Sequence, residues 1–312
     1  KKEDSYKIVR PNDYAYNPMN LRFGAVARHK GNMPVAVSGY YDIFTTVHES
    51  DLPFMDSFLT CGPMITYYNR VSTGSLVEKQ RVHFSQFLEF VLPLPSINER
   101  AKIAAILTTQ NKIIELKEKR LAQKQRQKKY LMQQLLTGKK RLLEFSEEWK
   151  IKPLKKLTEK QKKKNDGFQY RLVLSNSAQH GIVSQDQEFD KEIANEERID
   201  GYYIVIPGAF VYNPRISVTA PCGPINVNET GETGIMSPLY TVFTISSPQI
   251  SQDFLKYYFQ SSCWYKYVKG VANYGARHDR ISISDGDFFD MPIPLPTKEE
   301  QSYIAKVLSA SN

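Results

Sequence analysis

Hydrophobic positions recur along the chain in two rhythms. Tyr202–Ile206 and Tyr240–Ile245 are short apolar or alternating runs rich in Tyr, Val, Ile and Phe, and they read as strands. Clusters of Gly, Pro and Asn, such as Ala220–Ile225, punctuate such runs as turns. Leu92-Pro-Leu-Pro95 and Ile293-Pro-Leu-Pro296 then close each β-rich stretch, because proline lacks the donor that a ladder needs. After each strap the rhythm changes to a helical one. Ser96 stands three residues before Glu99 and Thr297 three before Glu300, so each pair predicts a capping box that opens a helix. The first helix is predicted from Ile97 to about Thr137, a stretch without proline or glycine, with Gly138 as its C-cap. Roughly 40 residues at ~1.5 Å each give it a length of about 60 Å. Ile103, Ile106, Leu107, Ile113, Ile114, Leu116, Leu121, Leu131, Leu135 and Leu136 form a stripe near helical spacing. Its polar middle, from Lys117 to Lys129, suits one strand of an antiparallel helix pair better than a core helix. The second helix starts at Lys298.

The same pattern is written twice. Tyr6–Pro18 aligns with Tyr202–Pro214, with Ile8/Ile204, Val9/Val205, Pro11/Pro207, Tyr16/Tyr212, Asn17/Asn213 and Pro18/Pro214 coinciding. Ser38–Phe44 lies over Ser237–Phe243, and Pro93-Leu-Pro95 over Pro294-Leu-Pro296. Glu99, Ile103, Ala104 and Leu107 then match Glu300, Ile304, Ala305 and Leu308. Three blocks in one order, separated by small insertions, indicate an internal duplication. The first copy has no counterpart of about residues 145–197, and the second helix ends four turns in, so both ends are expected to be cut.

At 312 residues there is room for two ordinary domains. Apolar residues make up 41% and mean hydropathy is −0.45, which describes a soluble globular chain without a membrane span or secretory leader. Cys61, Cys222 and Cys263 are scattered and odd in number, which argues against a disulfide framework and for the cytoplasm. A net charge of +9 favours a polyanionic partner. The cations are concentrated. Lys117, Lys119, Arg120, Lys124, Arg126, Lys128 and Lys129 stand against Glu118 alone, and a second run covers Lys150, Lys152, Lys155, Lys156, Lys160 and Lys162–Lys164. Such density attracts phosphate without reading sequence. Alone it equally describes a solvated helix face and a flexible basic loop; beside the duplication it favours phosphate or partner contact.

Duplication separates scaffold from reader. Positions shared by the copies, such as the Tyr-Asn-Pro turns, are expected to serve the fold. Positions that diverge are expected to carry what differs. Ala27–Asn32 diverges from Thr219–Pro224, and Ser72–Arg81 from Asn273–Arg280. These loops mix glycine with the side chains that read base edges in the major groove. Arg81, Arg277 and Arg280 are the preferred candidates for DNA contact, accompanied by Arg28, Lys30, Lys79, Asn273, Tyr274 and His278. Each could instead contact phosphate or form a surface ion pair. No G-x-G-x-x-G or phosphate-cradling loop is present, and Asn17-Pro-Met-Asn20 and Asn213-Pro-Arg-Ile216 lack the second proline and the aromatic of an amino-methyltransferase motif. The five histidines have no metal-ligand spacing, and Glu115-Leu-Lys117 lacks the upstream aspartate of a nuclease.

The strap with Ile97–Leu107, the helix end Tyr130-Leu-Met-Gln-Gln-Leu-Leu-Thr-Gly-Lys139, Trp149, and the second strap with Ile304-Ala305 together resemble the specificity (S) subunit of a type I restriction-modification system. The resemblance implies an α+β fold: two repeated β-rich target-recognition domains joined by long antiparallel helices, the second truncated. Its implied boundaries are 1–95 and 146–296 for the two recognition domains, 96–145 for the spacer helix and 297–312 for the start of the second. It further implies a non-catalytic subunit that reads a bipartite, asymmetric site in double-stranded DNA. The helices would dock two modification (methyltransferase) subunits and, through them, restriction subunits, with no membrane. S-adenosylmethionine and ATP would bind those partners, leaving this chain without a cofactor. The rival readings are the recognition part of a fused restriction-methyltransferase enzyme, a coiled-coil or adhesive structural module, and a carbohydrate- or RNA-binding β module.

Overall fold

The structure, a computed structural model, describes residues 6–76, 80–185, 199, 201–273 and 279–310. It mixes helices and strands, and the chain divides into two compact units, 1–121 and 122–312.

In the first unit, strands β1 (Tyr6–Val9) and β4 (Val35–Ser38) pair antiparallel. Strand β2 (Tyr14–Tyr16) lies between β3 (Val26–Arg28) and β5 (Asp42–Phe44). Alternation along β2 turns Tyr14 and Tyr16 to the same side, where both are buried. They meet helices α1 (Leu52–Phe58), α2 (Gly62–Val71) and α3 (Phe84–Leu88), and Leu21, Met64, Tyr68 and Val82 complete the core. The buried phenols find acceptors: the Tyr14 hydroxyl donates to Leu52 O and Asp56, and that of Tyr68 to Leu59 O.

The second unit repeats this sheet in the same register. Strand β11 (Phe210–Tyr212) lies between β12 (Ile225–Val227) and β14 (Thr241–Ile245). Tyr16 faces Val26 across one ladder, and Tyr212 faces Ile225 across the other. Tyr14 faces Phe44 as Phe210 faces Phe243. Ring geometry repeats as well. Tyr16 stacks on Phe87 with centroids 4.9 Å apart, and Tyr212 on Phe288 at 4.9 Å. Helices α5 (Gln252–Gln260), α6 (Tyr265–Val271) and α7 (Asp285–Phe289) stand where α1, α2 and α3 stand in the first unit. Strands β10 (Tyr203–Val205) and β13 (Gly234–Met236) form a pair like β1 and β4.

The second unit also has parts without a counterpart among the described residues of the first. Strand β6 (Lys150–Pro153) pairs with the strap, which forms β15 (Pro292–Leu295). Strand β7 (Thr158–Lys160) adds to the outer edge of β14, and β8 (Leu174–Ser177) with β9 (Gly181–Ser184) makes a hairpin. Of the lysine run, Lys150, Lys152 and Lys160 lie in strands and Lys155 and Lys156 in a short 3-10 turn between them, held by the fully buried Leu154 and Leu157; Lys162 and Lys163 follow outside any strand.

Helix α4 covers Ile97–Leu135, 39 residues. Gly138 just beyond has φ +69°, and a Cβ there would lie 3.4 Å from the Trp149 ring. Met132, Leu135 and Leu136 are buried with Ile304 and Leu308 of α8 (Lys298–Ser309). The two capping boxes differ. At α4, Ser96 and Glu99 close the reciprocal box: the Ser96 N–H and hydroxyl donate to the Glu99 carboxylate and the Glu99 N–H donates to Ser96 Oγ. At α8 only the forward half forms, from the Glu300 N–H to Thr297 Oγ1. The Glu300 carboxylate turns inward instead, accepting from Arg141 Nε at 2.9 Å, Arg141 Nη2 at 2.7 Å and Trp149 Nε1 at 2.9 Å. A paired, charge-assisted fork outweighs one bond to an N-cap amide.

Among the described residues, no helix is long and apolar enough to cross a membrane.

Candidate nucleic-acid interface

The two Asn-Pro turns are the hinge of the candidate site in each unit. Asn17 Oδ1 accepts from the Met19 N–H at 3.0 Å, and Asn213 Oδ1 from the Arg215 N–H at 3.0 Å, so both are Asx turns. The next carbonyl anchors the loop that returns to it: Val82 N–H donates to Pro18 O, and Ile281 N–H to Pro214 O. The loop necks are fixed by isolated bridges, Thr73 with Arg81 and Asn273 with Ser282. The turn backbone thus holds each loop neck, and a recess of the sheet opens beside each turn. In the first unit the recess is ≈ 550 Å³, with Asn17, Ser38, Tyr41 and Arg81 in its wall. In the second it is ≈ 390 Å³, with Asn213, Ser237, Tyr240 and Arg215 in its wall. Asparagine, serine and tyrosine come from matched positions of the repeat; the arginines do not.

Of the predicted contact residues, Arg81 is exposed and held by its backbone at the loop neck, on the rim of the first recess. Asn273 is exposed at the corresponding neck of the second unit. Arg280 bridges to Arg215 through the backbone, and its guanidinium lies 3.7 Å from Asp279. Arg28 is placed differently. Its Nε and Nη2 donate to both oxygens of Asp56 and its Nη1 to Asn12 Oδ1, with the side chain only 15% exposed. Lys30 reaches the same carboxylate at 3.0 Å. Burial opposes ionisation of Asp56, but hydrogen bonds from Arg28, Tyr14 and Lys30 outweigh it and hold the carboxyl at about 2. Lys79, Tyr274, Arg277 and His278 lie outside the described residues.

Helix α4 carries the other cationic feature. Glu115 pairs with Lys112 and Lys119, and Lys117, Arg120, Lys124, Arg126 and Lys129 are exposed along it. The lysines of the second run are partly spent on local carboxylates: Lys155 meets Asp290 and Lys160 meets Asp285.

Sequence reasoning missed Arg215, whose side chain is 64% exposed on the rim of the second recess. Its position directly after Asn213-Pro214 was the available signal. It also missed Asn176, which ties the hairpin to the sheet. Asn176 Nδ2 donates to Val211 O, its Oδ1 accepts from Asn226 Nδ2, and its carbonyl accepts from Asn213 Nδ2. No sequence spacing marks those contacts, which join residues 35 to 50 apart. Among the described residues no three His, Cys, Asp or Glu side chains gather as a metal site would require.

No family model matches the sequence. Solved structures do match it over nearly its full length. One, from work on complex assembly and conformational transition of the type I R-M system, superposes with a TM-score of 0.57 at 16% identity, covering 97% of this chain and 75% of that one. The S subunit of the type I restriction-modification system from M. genitalium gives 0.51 at 11% identity, covering 99% and 78%. The HsdS subunit from Thermoanaerobacter tengcongensis gives 0.50 at 16% identity, covering 100% and 75%. The chain has the fold of type I specificity subunits. Its mixed helix and strand content, long helix and β-rich units are the parts of that fold described above.

Proposed function

We propose that this chain is a sequence-specific DNA-binding specificity subunit of a type I restriction-modification complex, without catalysis of its own. Each unit would read one half of a bipartite, asymmetric site in double-stranded DNA. One observation carries the reading: two sheets with the same register and closely similar ring geometry hold recesses whose shared wall is Asn, Ser and Tyr, while Met19 lines the first where Arg215 lines the second. A scaffold repeated without its rim is what two readers of different half-sites require. Arg81 in the first unit, with Arg215, Asn273 and Arg280 in the second, are proposed as base-edge contacts, and Lys79, Tyr274, Arg277 and His278 belong to the same two loops. Arg28 and Lys30, tied to Asp56, are proposed to shape the loop and add positive charge beside phosphate. The fold likeness over the whole chain supports docking of two modification subunits, and through them restriction subunits, along the helices. S-adenosylmethionine and ATP would then be bound by those partners, in the cytoplasm.

A methylation map of host DNA with and without this gene is the test. Loss of one split, asymmetric modified motif on deletion is the expected result. An unchanged map, or methylation or cleavage by the purified chain given S-adenosylmethionine, Mg²⁺ and ATP, would overturn the reading.

A further inference from the structure

Beyond the Asn-Pro turn of the second unit, two short pieces of chain form a ribbon. The Ile216 N–H donates to Asp279 O at 3.0 Å, and the Ile281 N–H to Pro214 O at 3.0 Å. Arg215 and Arg280 therefore stand directly opposite each other in an antiparallel pair of the non-hydrogen-bonded kind. That kind brings opposed side chains closest and sends both to one face. Asp279 completes the group. Its Oδ2 lies 3.9 Å from Arg215 Nε and 3.7 Å from Arg280 Nε.

Two features set this cluster apart from an ion pair that serves the scaffold. Like charges directly opposite in a ladder repel, so the arginine pair itself destabilises the ribbon. Neither separation to Asp279 is short enough for a hydrogen bond. The Arg28–Asp56 fork of the first unit is closed by contrast: both carboxylate oxygens accept, at 2.9 and 2.8 Å, and the arginine is 15% exposed. Around Asp279 the donors and the acceptor face solvent, with Arg215 64% and Asp279 56% exposed. Arg215 also lines the recess with Asn213, Ser217 and Ser237. In the first unit the Val82 N–H bond to Pro18 O matches that of Ile281 to Pro214, which places Met19 over Arg215 and Gln80 over Asp279. There the Gln80 side chain accepts from Arg22 Nη1. The copies thus share this backbone and differ in the acid and the arginine it presents.

We infer, on the DNA-reading function proposed above, that Asp279 is a specificity-determining residue of the second unit. It accepts a hydrogen bond from the exocyclic amino group of a base in the major groove, cytosine N4 or adenine N6. A two-stranded ribbon fits that groove, where base edges carry amino donors beside ring and carbonyl acceptors. Asp279 is an acceptor alone, and the arginines are donors alone. Together they match an edge on which a donor adjoins an acceptor. Phosphate offers only acceptors, and its charge would meet the carboxylate at close range. The two arginines offset the charge of Asp279, so the acid can approach DNA. Guanine O6 or thymine O4 at the same place would set a carbonyl oxygen against the carboxylate with no proton between them. That repulsion selects against keto bases.

The test uses the full chain and duplexes carrying the mapped motif, with the amino group deleted one base at a time: purine in place of adenine, pyrimidinone in place of cytosine. At one base of one half-site the deletion is expected to weaken the wild-type chain about tenfold and Asp279→Ala hardly at all. Asp279→Asn, whose amide both donates and accepts, is expected to bind the motif at least as tightly as the wild type while tolerating a keto base at that position. Asp279 is exposed, so circular dichroism should find both variants folded. Asp279 is a surface charge only, and the proposal is overturned, if every deletion weakens Asp279→Ala as much as the wild type. The same follows if Asp279→Ala tightens binding to all duplexes alike. A wild-type chain with no preference for the motif would fail differently, removing the DNA-reading function itself and this assignment with it.

Discussion

The tie between helix start and preceding domain is made in both units, but with different chemistry. In the first, Arg100 donates Nε and Nη2 to the two oxygens of Asp51, and its Nη1 to Pro95 O. In the second, Gln301 occupies the matching position. Its Nε2 donates to Pro296 O and Gln249 O, while its Oε1 accepts from the Ser251 N–H. A carbonyl of the strap and the segment before the next helix are joined in both cases. The first unit uses charge at this tie, as it does between Arg28 and Asp56 and between Lys7 and Asp42. The second keeps ion pairs too, with Arg141 on the buried Glu300 among them, but makes this tie with Gln301, one of several buried amides that include Asn165, Asn176 and Asn228. Duplicated scaffolds keep the connection and are free to change the groups that make it. The consequence is physical: ion pairs answer to pH and salt, whereas amides do not.

The largest contrast should come from the two helix-start glutamates. Glu300→Ala strands a guanidinium and an indole N–H at a buried site and should cost about 3 kcal/mol or more in denaturant melts. Glu99→Ala removes an exposed cap and should cost about 1 kcal/mol or less. Equal costs would erase the difference drawn between the units. A proline inside a helix costs ~3 kcal/mol and kinks its axis. Leu121→Pro is therefore expected to abolish assembly with methyltransferase subunits while near-ultraviolet signals of both aromatic cores persist; normal assembly would remove the spacer role.

The acid limb of stability should belong to the first unit. Asp56 is held at about 2 against an ordinary 3.8, so its contribution is fully present above 3.8 and is lost as pH falls toward 2. That amounts to about 2 kcal/mol. Asp56→Asn should lower stability at neutral pH and flatten its dependence between pH 4 and 2, measured by melts of the first unit's aromatic signals. An unchanged slope would mean that Asp56 is not the group responsible.

The smallest effects concern reading. Arg81→Ala and Arg280→Ala should each relax discrimination by about 1 kcal/mol at a base of one half-site, a different half-site for each. Binding would be compared on single-base variants of the mapped motif. Uniform weakening would make the arginines phosphate anchors, and a change in both half-sites from one substitution would break the two-reader model.

The helix from Ile97, the turn at Asn213-Pro214 and the pairing of repeats were legible because each rests on local rules: capping spacing, turn chemistry, period-two alternation. The second strap was not, since its prolines argue against a ladder and yet Pro292–Leu295 pairs with β6. Glu300 shows where those rules stop. Its spacing from Thr297 predicts a reciprocal box, but Arg141 lies 159 residues away and takes the carboxylate. The Arg28–Asp56 fork was hidden for the same reason. An arginine in a polar loop looks like a reader until the fold brings an aspartate from α1 beside it.

Prolines alternate along the strap at 292, 294 and 296, and at 93 and 95 in the first unit. Since neighbouring residues of a strand present their N–H groups to opposite sides, the remaining donors at 293 and 295 all face one way. The opposite edge offers carbonyls alone and cannot template another strand. The strap of the second unit accepts a single neighbour, β6, and ends the sheet there. That pair is in this way protected from growing into a fibre at the strap's outer edge: a third strand arriving there finds acceptors and no donors.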